Sequence, residues 1–346
     1  MTRAAKFTMR VCRLCRQRVE LKMRAAGLAL LLSLCVGPVQ SQDQHWLLPA
    51  DTLNKGRFWT ATAVSTTLYT GTVIGLSTIW YDQYARTRFH FFNDWGEWKN
   101  MDKFGHLYTA YFESQWVFSI ARWTGIKPAT AAWVGAGAGV LLQGTIEVLD
   151  GYSEQWGFSI PDFAFNLLGA STFLTQHFLW NEQRILLKVS GLPTSYPDLE
   201  IRAVDNGHTT TLRQRTNSLY GTGFFERFIK DYNTQTVWAS MNVAAFLPQT
   251  SRWPAWLNVA IGYGAEHMYG GFENRWEENG VIYEITRPDY SRYSQFYLAP
   301  DIDFSRIPSR SPLIRTLLGM LNVFKFPSPA IEFNRIDGVR LHAIHF

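Results

Sequence analysis

The sequence predicts an α+β protein: a membrane-associated four-helix bundle followed by a β-containing C-terminal region. Three observations predict it. Four apolar segments of helix length fall between residues 57 and 180. From about Thr236 the apolar pattern shortens to the two-residue alternation of strands. Aromatic residues make up 15% of the chain, with 14 Trp, and rings that pair an apolar body with a polar tip favour membrane interfaces.

The first 41 residues read as a leader. Met23-Arg24 precedes the apolar run "AAGLALLLSLC", and "GPVQS" puts Val39 and Ser41 at the two small-residue positions for cleavage after Ser41. Residues 1–22 are basic without an apolar run, so they read as an extended n-region or as sequence upstream of a true start at Met23. All three cysteines, Cys12, Cys15 and Cys35, lie in this leader. Cys12 and Cys15 lack the second ligand pair of a zinc site. Leu34 stands where a lipidated Cys35 requires a small residue. A mature chain free of cysteine suits an oxidising envelope compartment on the periplasmic side. The leader also carries the basic excess: without it 25 Lys/Arg and 27 Asp/Glu remain, and the net charge moves from +5 to −2. Nucleic acid is therefore not an expected partner.

The remaining chain divides into a helical domain over 42–190, a linker region over 191–235 and a β-rich region over 236–346. The first segment, 57–81, has no charge between Arg57 and Asp82 and is long enough to cross a bilayer. The others run over 102–123, 129–149 and 161–180, with Pro128 and Pro161 where a helix start tolerates proline. Lys and Arg show no alternation between the connecting loops, so they assign no orientation. In the third segment Ala131, Gly135 and Gly139 recur every four residues and leave one face without bulk, the pattern of close helix–helix approach. Strands are predicted within 236–248, 256–271 and 292–304, a helix over 312–324, and two closing strands within 330–336 and 339–346.

Three of the helices carry a polar stripe on an apolar body. Asp102, His106 and Glu113 fall at i, i+4 and i+11 of the second; Gln143, Glu147 and Asp150 at i, i+4 and i+7 of the third; Asp162, Asn166 and Gly169 at i, i+4 and i+7 of the fourth. A charged group at mid-bilayer costs roughly 2.5–3.5 kcal/mol even on the milder scales. Such stripes therefore converge, with Lys103, His106, Asn166 and the Trp133 or Trp156 indoles as compensating partners. Carboxylates with one imidazole fit a divalent metal ion and also a general acid–base pair. The same residues fit a purely structural network, in which Asp102 and Asp162 serve helix N-termini and Lys103 snorkels to an interface.

Other groups read more plainly. Glu266, His267 and Glu273 sit in a hairpin or loop. Asp301 and Asp303 share the face of a solvated strand edge. His342 and His345 fall on opposite faces of one strand, and His177 lies about four turns from Asp162. Nucleophile-elbow, His-Glu-x-x-His and dinucleotide motifs are absent from the sequence.

"MDKFGH" with "EVLDGYSEQWGFSIPDFAFNLLG" resembles the YfiM-like predicted periplasmic lipoproteins, a bacterial family of unknown function, over about residues 57–185. It more distantly resembles VanZ-like membrane proteins, whose helices carry Asp-Lys-x-x-His, Glu-x-x-Gln/Asp and Asp-x-x-x-Asn-x-x-Gly. On that resemblance Asp102, Lys103 and His106, then Glu147 and Asp150, then Asp162, Asn166 and Gly169 occupy the shared positions. The resemblance implies an envelope location and an architecture, and it brings no reaction.

Three functions are open at this level. The first is a structural or binding protein of the cell envelope whose partner is membrane lipid, glycan or another envelope component. The second is a hydrolase of an envelope lipid or lipid-linked glycan, with Asp102, His106, Glu147, Asp150, Asp162 and Asn166 as its site and a divalent metal as its cofactor. The third is an outer-membrane β-barrel, which the terminal Phe346 brings to mind and a strand count tests.

Overall fold

The computed structural model describes residues 46–79, 85–205 and 207–346. The leader and its three cysteines lie outside the described residues, as does the end of the first apolar segment at Trp80–Tyr81. Helices and strands are both abundant and largely segregated along the chain, an α+β arrangement.

The apolar segments form α1 (Lys55–Ile79), α2 (Met101–Trp123), α3 (Pro128–Gly151) and α4 (Ile160–Trp180). The last three pack on one another around Tyr111, Ala132, Ala136, Ala170 and Phe173. The small-residue face of α3 does what its spacing predicts. A Cβ at Gly139 would lie 2.6 Å from Ala110 O, and one at Gly135 would overlap the Ser114 carbonyl. Among the described residues, α3 is the one helix long and apolar enough to cross a membrane, a criterion that buried core helices also meet. Helix α1 is mostly exposed; Arg57 Nη1 donates to Trp123 O at 3.2 Å, and Tyr69 and Thr145 hydroxyls lie 2.8 Å apart.

Two short strands, β1 (Phe91–Phe92) and β2 (Phe158–Ser159), pair in parallel beside the N-terminus of α4. The chain then enters β3 (Ile185–Gly191). The stretch 191–235 holds β4 (Glu200–Arg202), β5 (Thr209–Thr211), α5 (Leu212–Tyr220) and α6 (Phe224–Lys230). Its Tyr196, Ile201, Leu212 and Tyr220 share a core with Tyr269, Trp276 and Tyr283. Beyond it lie β6 (Gln235–Met241), β7 (Leu257–Glu266), the β8 (Arg275–Glu278) and β9 (Val281–Glu284) hairpin, and β10 (Tyr293–Ile302). Helix α7 (Pro312–Leu321) and strands β11 (Ser328–Asn334) and β12 (Gly338–His345) close the chain.

The largest sheet among the described residues has six antiparallel strands in the order β12-β11-β10-β7-β6-β3. Its register makes two apolar cross-strand rows on one face: Leu187, Ala239, Ile261, Leu298, Ile331, Leu341 and Val189, Val237, Tyr263, Phe296, Phe333, Val339. The helices cover the β3–β6 end of these rows through Tyr111, Phe173 and Met101. Beyond Tyr263, which still packs on Phe104 of α2, the rows are largely exposed, Ile261 at 62% and Leu341 at 76%. The opposite face carries Lys188, Trp238, Tyr297 and Glu332 in one row, all buried. Gly262 leaves the room that Trp238 fills in that row. The sheet thus hides polar and aromatic groups while exposing aliphatic ones. Six strands fall short of the eight of the smallest outer-membrane barrels, and β3 and β12 are the two sheet edges.

The polar face corrects two expectations. Asp301 and Asp303 are buried rather than solvated, because Lys188 Nζ meets Asp301 Oδ2 at 2.8 Å and donates to Ile302 O at 2.7 Å. His342 and His345 lie on one side rather than two. Ser328 pairs with His345 and Ala330 with His342, so β12 holds an extra residue, a bulge that reverses the alternation. Their rings are 5.2 Å apart, His345 stacks on Tyr297, and His342 Nε2 meets Glu332 Oε2 at 2.6 Å.

Candidate functional site

The site is built where the N-termini of α2 and α4 meet the C-terminal end of α3. The approach to α2 is unusual: Gly96, Trp98, Lys99 and Asn100 all have positive φ (88°, 47°, 55° and 62°), a left-handed turn that is costly for Trp and Lys. It is held by Trp98 N–H donating to Gly271 O (2.7 Å) and by Tyr263 O–H donating to Lys99 O (2.5 Å). The turn leads directly into Asp102, Lys103 and His106.

Lys103 does not snorkel. Its side chain is fully buried, 2.6 Å from Asp94 Oδ2, 2.9 Å from Asp162 Oδ1 and 3.7 Å from Asp102 Oδ2. Burial alone would discharge the ammonium; Asp102, Asp162 and Asp94 outweigh it and raise its pKa. Ser159, the N-cap of α4, ties the carboxylates to the backbone. Its hydroxyl accepts from Asp162 N–H (3.0 Å) and donates to Asp94 Oδ1 (2.6 Å), and its own N–H donates to Glu147 Oε2 (3.1 Å).

His106 stands at the centre of the second half. Nδ1 lies 3.0 Å from Asn166 Oδ1, while Nε2 faces Glu147 Oε1 at 3.4 Å and Asp102 Oδ1 and Asp162 Oδ2 at 4.0 Å each. One ligand atom each from Asp102, His106 and Asp162 lies within 4.8 Å of the other two. Tyr232, from the turn before β6, donates its hydroxyl to Asp102 Oδ1 at 2.7 Å. The Asp102 and His106 side chains are 22% and 13% exposed and form the mouth; Glu147 and Asp162 form the floor at 1% and 5%. Among the described residues no hydrogen bond reaches Glu147 Oε1 or Asn166 Nδ2, both buried.

Four carboxylates around one lysine and one imidazole do not all stay charged. Burial, then the Asp150 charge, pushes Glu147 up to about 8. Burial also raises Asp162, helped by the Asp102 charge and its hydrogen bond with Asp94. Burial raises Asp94 too, but hydrogen bonds from Asp162, Lys103 and Ser159 win, and its carboxyl ends below the usual range. Of that pair, Asp162 is the carboxyl that takes up a proton more readily. Glu97, in the left-handed turn, is pushed up to about 7 by burial and by the charges of Asp102 and Asp94.

Of the six sequence-derived candidates, the structure brings Asp102, His106, Glu147, Asp162 and Asn166 together. Asp150 lies one turn beyond Glu147 and acts on it through its charge rather than offering a converging ligand atom. Glu113 lies elsewhere on α2, where Gln143 Nε2 donates to its Oε2 at 2.9 Å. His177 is buried against Phe118 and Phe173. Glu266 accepts from Tyr293 O–H at 2.6 Å, and His267 packs on Tyr269 and Tyr290. Trp133 is exposed and compensates no carboxylate. The sequence reading missed Asp94, Ser159 and Tyr232, each contributed by a connecting segment or a helix cap rather than by a helical stripe.

The family described as predicted periplasmic lipoprotein, a domain of unknown function (DUF2279), matches residues 90–177. That span contains the site from Asp94 to Asn166 and stops short of the sheet. No curated protein and no solved structure matches the chain. The matched description agrees with a periplasmic, envelope-associated location for this protein.

Proposed function

We propose that the protein is a membrane-associated envelope protein in which the Asp102–His106–Asp162 cluster, backed by Glu147, binds a divalent cation. The observation that carries this is the convergence of one imidazole and two carboxylates from α2 and α4 within 4.8 Å, with a solvent-facing mouth. Ligands about 2.1 Å from an ion lie roughly 3–4 Å apart, so a small closure completes a shell. Lys103 neutralises Asp94 and the Oδ1 side of Asp162, which leaves Asp162 Oδ2 turned towards His106. A mixed imidazole and carboxylate set suits manganese or zinc.

Support for membrane association comes from the inverted sheet and from the helices. Exposed Ile261, Phe296, Phe333 and Leu341 on the sheet and exposed Trp59, Leu68, Trp133 and Leu168 on the helices give aliphatic and aromatic surface of the kind that marks interaction sites. In this reading the helices over 42–190 form a bundle lying against one leaflet, with 191–235 connecting it to the β-rich part. The ordered Asp-Lys-x-x-His, Glu and Asp-x-x-x-Asn-x-x-Gly elements also support the YfiM-like and distant VanZ-like reading of the helical part.

The test is bound metal, measured on protein purified in detergent and after titration with Mn²⁺ or Zn²⁺, for wild type, His106→Ala and Asp162→Ala. A near-stoichiometric ion lost in both variants is expected. Absence of bound ion, with both variants less heat-stable, would mean that the cluster only locks helices together.

A second reading is hydrolysis of an envelope lipid or lipid-linked glycan. Burial raises the Glu147 carboxyl to about 8, and it lies 3.4 Å from His106 Nε2, close enough to exchange a proton with it. Release of head group from short-chain lipid analogues, abolished by Glu147→Gln, is the expected result.

A further inference from the structure

A separate cleft of ≈ 350 Å³ lies between the left-handed turn, the loop before β8 and the segment entering β10. Its walls include Lys99, Arg275, Arg292 and Arg335, with Glu273 and Glu284 as the acidic members. Arg275 stands opposite Glu284 in the β8–β9 ladder, so those two charges offset each other. Lys99, Arg292 and Arg335 have no salt-bridge partner among the described residues.

Arg292 is the informative member. It is 9% exposed, and its Nη2 donates to Gly271 O at 2.5 Å. The same carbonyl accepts from Trp98 N–H, which clamps the left-handed turn that carries Lys99. Arg335 Nη2 donates to Arg292 O at 2.7 Å. Yet Nε and Nη1 of Arg292 are buried without any acceptor among the described residues. A buried guanidinium with three unused N–H donors is expensive. Lys99 is pushed down by burial and by the Arg335 and Arg292 charges, so the three cations crowd one another. Glu97 and Glu273 temper the field at Arg292 without pairing with it.

We infer that this cleft is an oxyanion site that takes a phosphate group, with Arg292 Nε and Nη1 as the inner donors and Lys99 and Arg335 as the outer cations. A planar guanidinium presents adjacent N–H groups in the geometry of phosphate oxygens. Phosphate chemistry in an envelope comes from lipid head groups or from soluble phosphoesters. Exposed Phe272 on the cleft wall gives an acyl or glycerol portion an apolar contact. The inference is independent of the cation site, since it uses none of its ligands.

The experiment uses the full chain in detergent. Inorganic phosphate is titrated calorimetrically, and binding to phosphatidylcholine vesicles with and without phosphatidic acid is followed by flotation. Lys99→Gln is expected to weaken binding about tenfold at an unchanged melting temperature, Arg335→Gln, which also loses the hydrogen bond to Arg292 O, by a similar factor, and Arg292→Gln more strongly. Saturable binding of phosphate alone that the variants weaken identifies a soluble phosphoester. The same loss confined to phosphatidic acid vesicles identifies a lipid head group. Wild type that binds neither probe saturably, or Lys99 and Arg335 variants that bind as wild type does, overturns the site.

Discussion

His106 Nδ1 lies 3.0 Å from Asn166 Oδ1, a contact between α2 and α4 that aims Nε2 at Glu147, Asp102 and Asp162. With the amide oxygen as acceptor, Nδ1 carries the proton and Nε2 offers a lone pair, the tautomer a metal or an acidic proton requires. Partners that fix a ligating histidine typically contribute 10–100-fold in metal affinity. Asn166→Ala is expected to weaken Mn²⁺ or Zn²⁺ binding by about that factor, read by calorimetry. Unchanged affinity would show that the imidazole needs no orienting partner.

Lys103 is the charge that lets Asp94 and Asp162 share a buried space. Removing one partner of a buried ion pair costs about 3–5 kcal/mol, because the other is left uncompensated. Lys103→Met should lose that much in urea unfolding at pH 7. The stranded carboxylates then have folded-state pKa values above their unfolded ones, so the variant regains stability as pH falls and they take up protons. Lys103→Met with Asp94→Asn should recover part of the loss at pH 7. A loss that ignores both pH and Asp94 would point to packing instead.

The α2–α3 contact depends on missing atoms. A Cβ at Gly139 meets Ala110 O at 2.6 Å, whereas one at Gly137 meets nothing within 4 Å. Gly139→Ala should therefore cost about 1–3 kcal/mol as the helices part. Gly137→Ala, two residues away, should gain about 0.5–1 kcal/mol from helix propensity. Equal effects at the two positions would remove close approach as the reason for the small-residue face.

The helices were legible because each signal was long: some twenty apolar residues, a proline at two starts, and polar groups at helical spacing. The convergence of Asp102, His106, Asp162 and Asn166 follows from the same periodicity, since each stripe needs partners. Asp94 was not legible, because it sits in an aromatic-rich connecting segment with no period to mark it. Lys103 was misread for a related reason. A lone lysine beside an apolar run looks like a snorkelling residue until Asp94 and Asp162 are known to face it. Strand β3 was hidden because "ILLKVSG" follows α4 closely and its Lys188 looks solvent-bound, when Asp301 from a distant strand neutralises it. The β12 bulge leaves no local trace, so strict alternation put His342 and His345 on opposite faces.

Glu113 gives the plainest pH test, since it lies outside the cation cluster. Burial pushes its carboxyl up to about 7, against the hydrogen bond from Gln143 that favours the charged form. A carboxyl with a raised folded-state pKa binds its proton more tightly when folded. Its contribution is fully present below the unfolded value of 4.5 and is lost as pH rises towards 7. Wild type should therefore lose stability across that window. Glu113→Gln keeps an oxygen for the Gln143 donor and removes the ionisation. The variant should match wild type near pH 4 and exceed it by about 1–3 kcal/mol at pH 8, in parallel urea titrations in detergent. A constant difference across the range would mean that Glu113 reaches solvent and ionises freely in the folded chain.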